Sequence, residues 1–203
     1  MVVVTRLGLT GGIGAGKSTA NAAFADLGAV IIDYDQLSRD AVAPGSPILG
    51  KIAQVFGPEF IDDDGALNRQ IMAEKIFNDP AARQTLESLI HPRVFELATE
   101  IETYALKQNP SAIVIHDIPL LIEKNLVGQF DGIVIVDTNE GVRQRRLVET
   151  RELTPAEAQA RIAAGATDAE RHAAGTYFLD GNGTPENLKA QVAELWRQLN
   201  SGA

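Results

Sequence analysis

The chain has 203 residues, 45% of them apolar and 22% charged, so it is long enough to bury a sizeable core and too apolar to stay disordered. Eighteen Lys and Arg against 27 Asp and Glu give a net charge of −9, which argues against broad binding to nucleic acid or an anionic membrane; a polyanionic ligand must find a local basic site. With no cysteine and three scattered histidines, there is no thiol chemistry, disulfide frame or zinc constellation. No run of 18 apolar residues predicts a membrane span, and the opening residues lack the basic and apolar regions of a secretion signal, so a cytoplasmic, unprocessed protein is expected.

In chain order, an apolar run to Leu9 reads as a strand, GLTGGIGAGKST follows at 8–19, and helix-forming residues continue to Leu27. Gly11 to Ser18 satisfies G-x-x-x-x-G-K-[ST] between a strand and a helix, which is the context this motif needs. Gly12, Gly14, Ala15 and Gly16 would curl their backbone N–H groups around phosphate oxygens, at the positive end of a helix that starts near Lys17, Ser18 and Thr19. Lys17 would reach the β and γ phosphates and Ser18 would ligate Mg²⁺, so a nucleoside triphosphate with Mg²⁺ is the expected ligand. A dinucleotide fingerprint fails, because Lys17 stands where its third glycine would fall.

Three further apolar runs lack alternation, as strands covered on both faces do: Ala29–Asp33, Ala112–Ile115 leading into His116 and Asp117, and Gly132–Val136 leading into Asp137. Strands alternating with helical segments predict an open parallel α/β sheet with its ligands at the carboxyl ends of the strands. In Asp33-Tyr34-Asp35, an extended chain would point both carboxylates to one side, where one would accept a proton from an attacking hydroxyl. Equally, Asp35 would N-cap a helix beginning near Gln36. Arg39, one turn on, would face the same cleft or solvent. Asp117 takes the place of a strand-end carboxylate that holds Mg²⁺ or its waters, and Pro119 then turns the chain.

Residues 37–107 read as helical, broken at Pro44-Gly45, Gly57-Pro58 and Asp64-Gly65, and are too long for one crossover; they form an inserted substrate region in which His91 packs or caps. Asp62-Asp63-Asp64-Gly65 lacks the spacing of a calcium loop and reads as a turn. Arg143, Arg145, Arg146 and Arg151 lie on one helix, and a second begins with Thr154 as cap, Pro155 first and Glu157 closing a capping box. Such a basic hairpin suits a lid that neutralises charge on a transferring phosphoryl group. At the C-terminal end, Leu188, Val192, Leu195 and Leu199 form one apolar helical face.

GLTGGIGAGKST, IIDYDQLSRDAVAPG, DGALNRQ, IHP and DIPLLIE occur here in the order found in dephospho-coenzyme A kinases, and the chain resembles that family from about Arg6 to the last helix. The resemblance implies a P-loop NTPase-type parallel sheet flanked by helices, with a helical substrate-binding insert and a helical lid. One kinase domain over 1–203 is expected, with its core at about 1–36, 108–140 and 176–203, the insert at 37–107 and the lid at 141–175. It implies transfer of the γ-phosphoryl group of ATP to the ribose 3′-hydroxyl of dephospho-CoA, with Asp35 as general base and Arg146 as the lid arginine on the phosphates. Asp33, Arg39, His91, Asp117 and Glu123 fall near the acceptor, Asp117 also near the metal. ATP and dephospho-CoA are the implied partners of a monomer or weak homo-oligomer. Gly165, Gly175-Thr176 and Gly181 depart from the family's glutamine, Ala-Asp pair and asparagine, which implies altered adenine contacts and lid stiffness.

Overall fold

The computed structural model describes residues 6–201; the apolar residues 1–5 of the expected first strand, and positions 202 and 203 of the expected domain, lie outside it. The chain divides into a sheet unit, Met1–Asp33 with Ala105–Ala203, and a helical unit, Tyr34–Tyr104.

In the sheet unit, β1 (Arg6–Gly11) runs through the glycine loop into α1 (Lys17–Asp26) and β2 (Val30–Asp33). The helical unit holds α2 (Tyr34–Asp40), α3 (Pro47–Phe56), α4 (Arg69–Asn78) and most of α5 (Pro80–Gln108). The chain continues through β3 (Val114–Asp117), β4 (Gly132–Asp137), α6 (Glu140–Arg151), α7 (Pro155–Ala163), α8 (Asp168–Ala174), β5 (Tyr177–Asp180) and α9 (Pro185–Ser201).

The sheet order is β2-β3-β1-β4-β5 and each adjacent pair is parallel, so every strand ends on the same edge. The glycine loop leaves from central β1, where the chain's later strands go to either side, which is the crevice that open α/β sheets use for ligands. Leu7, Leu9, Ile115, Val134 and Val136 fill the sheet's core with Phe24 of α1 and Leu188, Val192, Leu195 and Leu199 of α9. Burying each of those four α9 side chains contributes roughly 1.5–3 kcal/mol, so the predicted apolar face is what holds α9 in place.

Several boundaries differ from the sequence reading. β2 starts at Val30, and β3 is displaced to Val114–Asp117, so His116 and Asp117 belong to the strand instead of following it. Asp33-Tyr34-Asp35 is not extended throughout: β2 ends at Asp33 and α2 starts at Tyr34, putting Asp35 in the first helical turn. The reason is packing. Entering the helix buries Tyr34, whose ring meets Phe95 edge-on with centroids 5.9 Å apart. Asp35 therefore neither shares a strand face with Asp33 nor caps a helix from Gln36.

The helical unit has its own core of Val42, Ile48, Leu49, Ile52, Phe60, Met72 and Leu86. Asp62 accepts from the backbone N–H groups of Asp64 (3.1 Å) and Ala66 (2.8 Å), so the acidic run is the expected turn. His91 and Pro92 lie inside α5, which continues through the proline. Among the described residues no helix is long and apolar enough to cross a membrane.

His116 is fully buried in β3, its ring 5.1 Å from that of Phe130. Burial, reinforced by the Arg6 charge, pushes its pKa down from 6.5 to about 4. Because the folded value lies below the unfolded one, the stability it contributes is full above pH 6.5 and is lost as pH falls toward 4. From this group alone, unfolding in urea should need about 2 kcal/mol less at pH 5 than at pH 7. His116→Gln should flatten that part of the pH dependence; an unchanged slope in the variant contradicts the assignment.

Candidate active site

The loop between β1 and α1 is shaped by two glycines in the left-handed region, Gly14 at φ 78° and Gly16 at φ 105°, which a side chain would strain. Ala15 N–H donates to the Gly12 carbonyl at 3.0 Å, closing the turn. The Ala15 carbonyl accepts from Thr138 Oγ1 at 2.9 Å and from Arg146 Nη1 at 3.3 Å. A trans peptide points its C=O and N–H in opposite directions, so Gly16 N–H faces away from those donors, at the positive end of α1. Ile13 of the loop packs against the cluster of Leu147, Ala158 and Ile162, which joins the loop to the α6–α7 hairpin.

Lys17, the first residue of α1, forms an ion pair with Asp117 Oδ1, and Asn21, one turn on, donates to Asp117 Oδ2 at 2.6 Å. Register sets Asp33 of β2 beside Asp117 of β3, so two strand-end carboxylates project on one face. Sequence reading overlooked Asn21, although its spacing of four from Lys17 puts both on one side of the helix. Ser18 is exposed beside this group, with no hydrogen bond to its hydroxyl from the described residues. An exposed hydroxyl and a carboxylate fit Mg²⁺, which prefers few protein oxygens and completes its shell with water and phosphate. Among the described residues no three acidic or histidine side chains gather into a closed protein cage.

The arginines of α6 divide by helical period. Arg145 and Arg151 are exposed, Arg146 is half-buried and Arg143 buried. Arg146 donates to four carbonyls, those of Gly14 (3.3 Å), Ala15 (3.3 Å), Gly181 (2.7 Å) and Gly183 (3.1 Å), so its charge lies on the rim of the glycine loop. Glu123, beyond β3, accepts from Ala166 N–H at 2.6 Å in the connection between α7 and α8. The expected capping box at Thr154 and Glu157 is formed. A second at Thr167 and Glu170 starts α8, a helix that the same sequence rule would have found.

The remaining candidates lie in the helical unit. Asp35 and Arg39 are exposed and one turn apart on α2, where Arg39 Nη1 donates to Gln36 at 3.1 Å; half-buried His91 lies on α5.

The model of a family described as dephospho-CoA kinase matches residues 5–187. The chain belongs to the dephospho-CoA kinase family. It is 42% identical to a dephospho-CoA kinase of Frankia casuarinae, with 95% of this chain and 82% of that one aligned, and 40% identical to one of Leifsonia xyli subsp. xyli over 95% and 98%. A dephospho-CoA kinase of Mycolicibacterium paratuberculosis is 43% identical over 95% of this chain and 47% of its own, so the chain spans about half the length of that relative. Among solved structures, TT1252 from Thermus thermophilus superposes with a TM-score of 0.79 at 29% identity, covering 98% of this chain and 99% of its own. A shikimate kinase from Bacteroides thetaiotaomicron, at 18% identity, a TM-score of 0.52 and coverage of 97% and 99%, shares the fold.

The glycines that the resemblance marks as departures lie close to neighbouring groups. At Gly181 a Cβ would collide with Thr138 Oγ1 and the Ala15 carbonyl, so the backbone passes too close to the phosphate loop for a side chain. Asn182 does not swing into its place: its Oδ1 accepts from Asn139 N–H at 2.9 Å and its Nδ2 donates to Asp180 at 2.6 Å. At Gly175 a Cβ would lie 2.5 Å from the Phe178 ring. Gly165 sits beside Glu123, whose Oε1 would be 3.4 Å from a Cβ there.

Proposed function

We propose that the chain catalyses transfer of the γ-phosphoryl group of ATP to the ribose 3′-hydroxyl of dephospho-CoA, giving CoA and ADP. This is the last step of CoA synthesis. The observation that carries the reading is the glycine loop with Lys17 held at the Asp117 strand end, in a chain of this family.

The phosphate chain of ATP lies in the loop from Gly12 to Thr19, on backbone N–H groups, with Lys17 on its β and γ oxygens. Asp35 takes the proton of the 3′-hydroxyl as that oxygen attacks phosphorus in line; the bond from phosphorus to the β–γ bridging oxygen breaks and ADP carries the electron pair away. Arg146, on the loop's rim, stabilises charge that develops on the transferring group. Ser18 and Asp117 would hold Mg²⁺, which supplies charge neutralisation on the phosphate oxygens. By the family resemblance, the residues assigned to the acceptor are Asp33, Arg39, His91, Asp117 and Glu123. The protein acts in the cytoplasm as a monomer or weak homo-oligomer.

ADP formation from ATP should depend on dephospho-CoA and stay at background with nucleoside monophosphates or pantetheine. Silence with dephospho-CoA, or equal rates across that panel, overturns the reading.

A further inference from the structure

Arg143 has no individual part in the proposed mechanism, yet its side chain is 3% exposed, among the most buried charges described. Two of its three nitrogens are anchored: Nε donates to the Thr138 carbonyl at 2.9 Å and Nη2 to Asp168 Oδ1 at 3.0 Å. Asp168 also pairs with Arg171, whose side chain is 7% exposed, so two buried guanidinium groups share one carboxylate that is itself 51% exposed. Two other acids lie within electrostatic reach of Arg143. Asp137 is paired with His172 at 2.8 Å, and Glu140 accepts from Gln159 at 2.7 Å. Neither of these two acids bonds to Arg143, so Asp168 is its one ion-pair partner among the described residues.

Nη1 has no hydrogen-bond partner among the described residues, and it lies over Gly12 of the phosphate loop, 2.5 Å from where a Cβ would be. Arg146 meets the loop through the carbonyls of Gly14 and Ala15. Arg143 instead presents a fixed, unpaired donor to the loop, and Gly12 leaves it room. We propose that Arg143 Nη1 donates to the phosphate chain of the nucleotide, making Arg143 a phosphate-binding residue beside Lys17. Thr138 and Asp168 hold the guanidinium in place for that contact. The inference rests on the phosphate-loop reading of residues 11–18.

The test is calorimetric titration of wild type and Arg143→Lys with tripolyphosphate, ATP and dephospho-CoA. Lysine keeps the charge but loses the fork that lets one nitrogen bind while two are anchored. Affinity for tripolyphosphate and for ATP should fall by about 10–100-fold, the share of one hydrogen bond to a charged group, with dephospho-CoA affinity unchanged. Affinities within twofold of wild type overturn the proposal. Because a buried arginine also supports folding, the second measurement uses the unaltered protein: the Arg143 guanidinium ¹⁵N–¹H resonances should shift on addition of tripolyphosphate, and unmoved resonances overturn the proposal as well. Failure of wild type to bind tripolyphosphate would remove the phosphate-loop reading itself, a result distinct from normal wild-type binding with an unaffected variant.

Discussion

Lys17→Ala is expected to lower kcat by about 10²–10³-fold, the usual loss when one preorganised donor to developing charge is removed. Its effect on ATP affinity should be smaller, under about tenfold. The reason lies in the partner that Lys17 already has. Its side chain is 20% exposed and pairs with Asp117, 8% exposed, so ATP exchanges one ion pair for another and gains little net energy. Asp117 is thereby released toward the position where Mg²⁺ is proposed, while Asn21 still donates to its Oδ2. Steady-state kinetics beside direct ATP titration would separate the two effects. A fall in ATP affinity with kcat unchanged would show that Lys17 holds the ground state as tightly as the transition state.

Asp35→Asn should slow phosphoryl transfer by about 10²–10⁴-fold, the range for removing a general base, with ATP binding little altered. Asparagine keeps the shape, and the position is exposed in the first turn of α2, so the variant should fold normally and differ in chemistry alone. The substitution isolates proton acceptance better than alanine, which would also empty the site. Near-normal kcat in a folded Asp35→Asn protein would remove Asp35 from the role of base and leave the hydroxyl proton to solvent or to another carboxylate. Asp33, at the end of β2, would be the next to test.

The parts of the fold that were legible in the sequence are those whose signal is local. The glycine loop carries its own turn chemistry, Thr154 and Glu157 cap α7 within four residues, and the α9 stripe repeats at the helical period. The sequence leaves Asp35 either in extended chain or as the cap of a helix from Gln36, because nothing in Asp-Tyr-Asp marks where the helix starts; the burial of Tyr34 beside Phe95, 61 residues on by numbering, decides it. The site shows the same limit. Asn21 meets a carboxylate 96 positions away, and Arg143 is fixed by Asp168, 25 positions away, so neither pairing has a local signature. The α6 arginines looked alike in sequence, yet the helix buries Arg143, turns Arg146 onto loop carbonyls and leaves Arg145 and Arg151 in solvent.

A phosphate loop alone leaves open which hydroxyl receives the phosphoryl group, and the proposal that it is the ribose 3′-hydroxyl of dephospho-CoA rests on the family. The most direct test is ³¹P NMR of the protein with ATP, Mg²⁺ and dephospho-CoA. The account predicts loss of the γ-phosphate signal with one equivalent each of ADP and of a ribose 3′-phosphate monoester. Release of inorganic phosphate with dephospho-CoA unchanged, or a monoester at another hydroxyl, would contradict it.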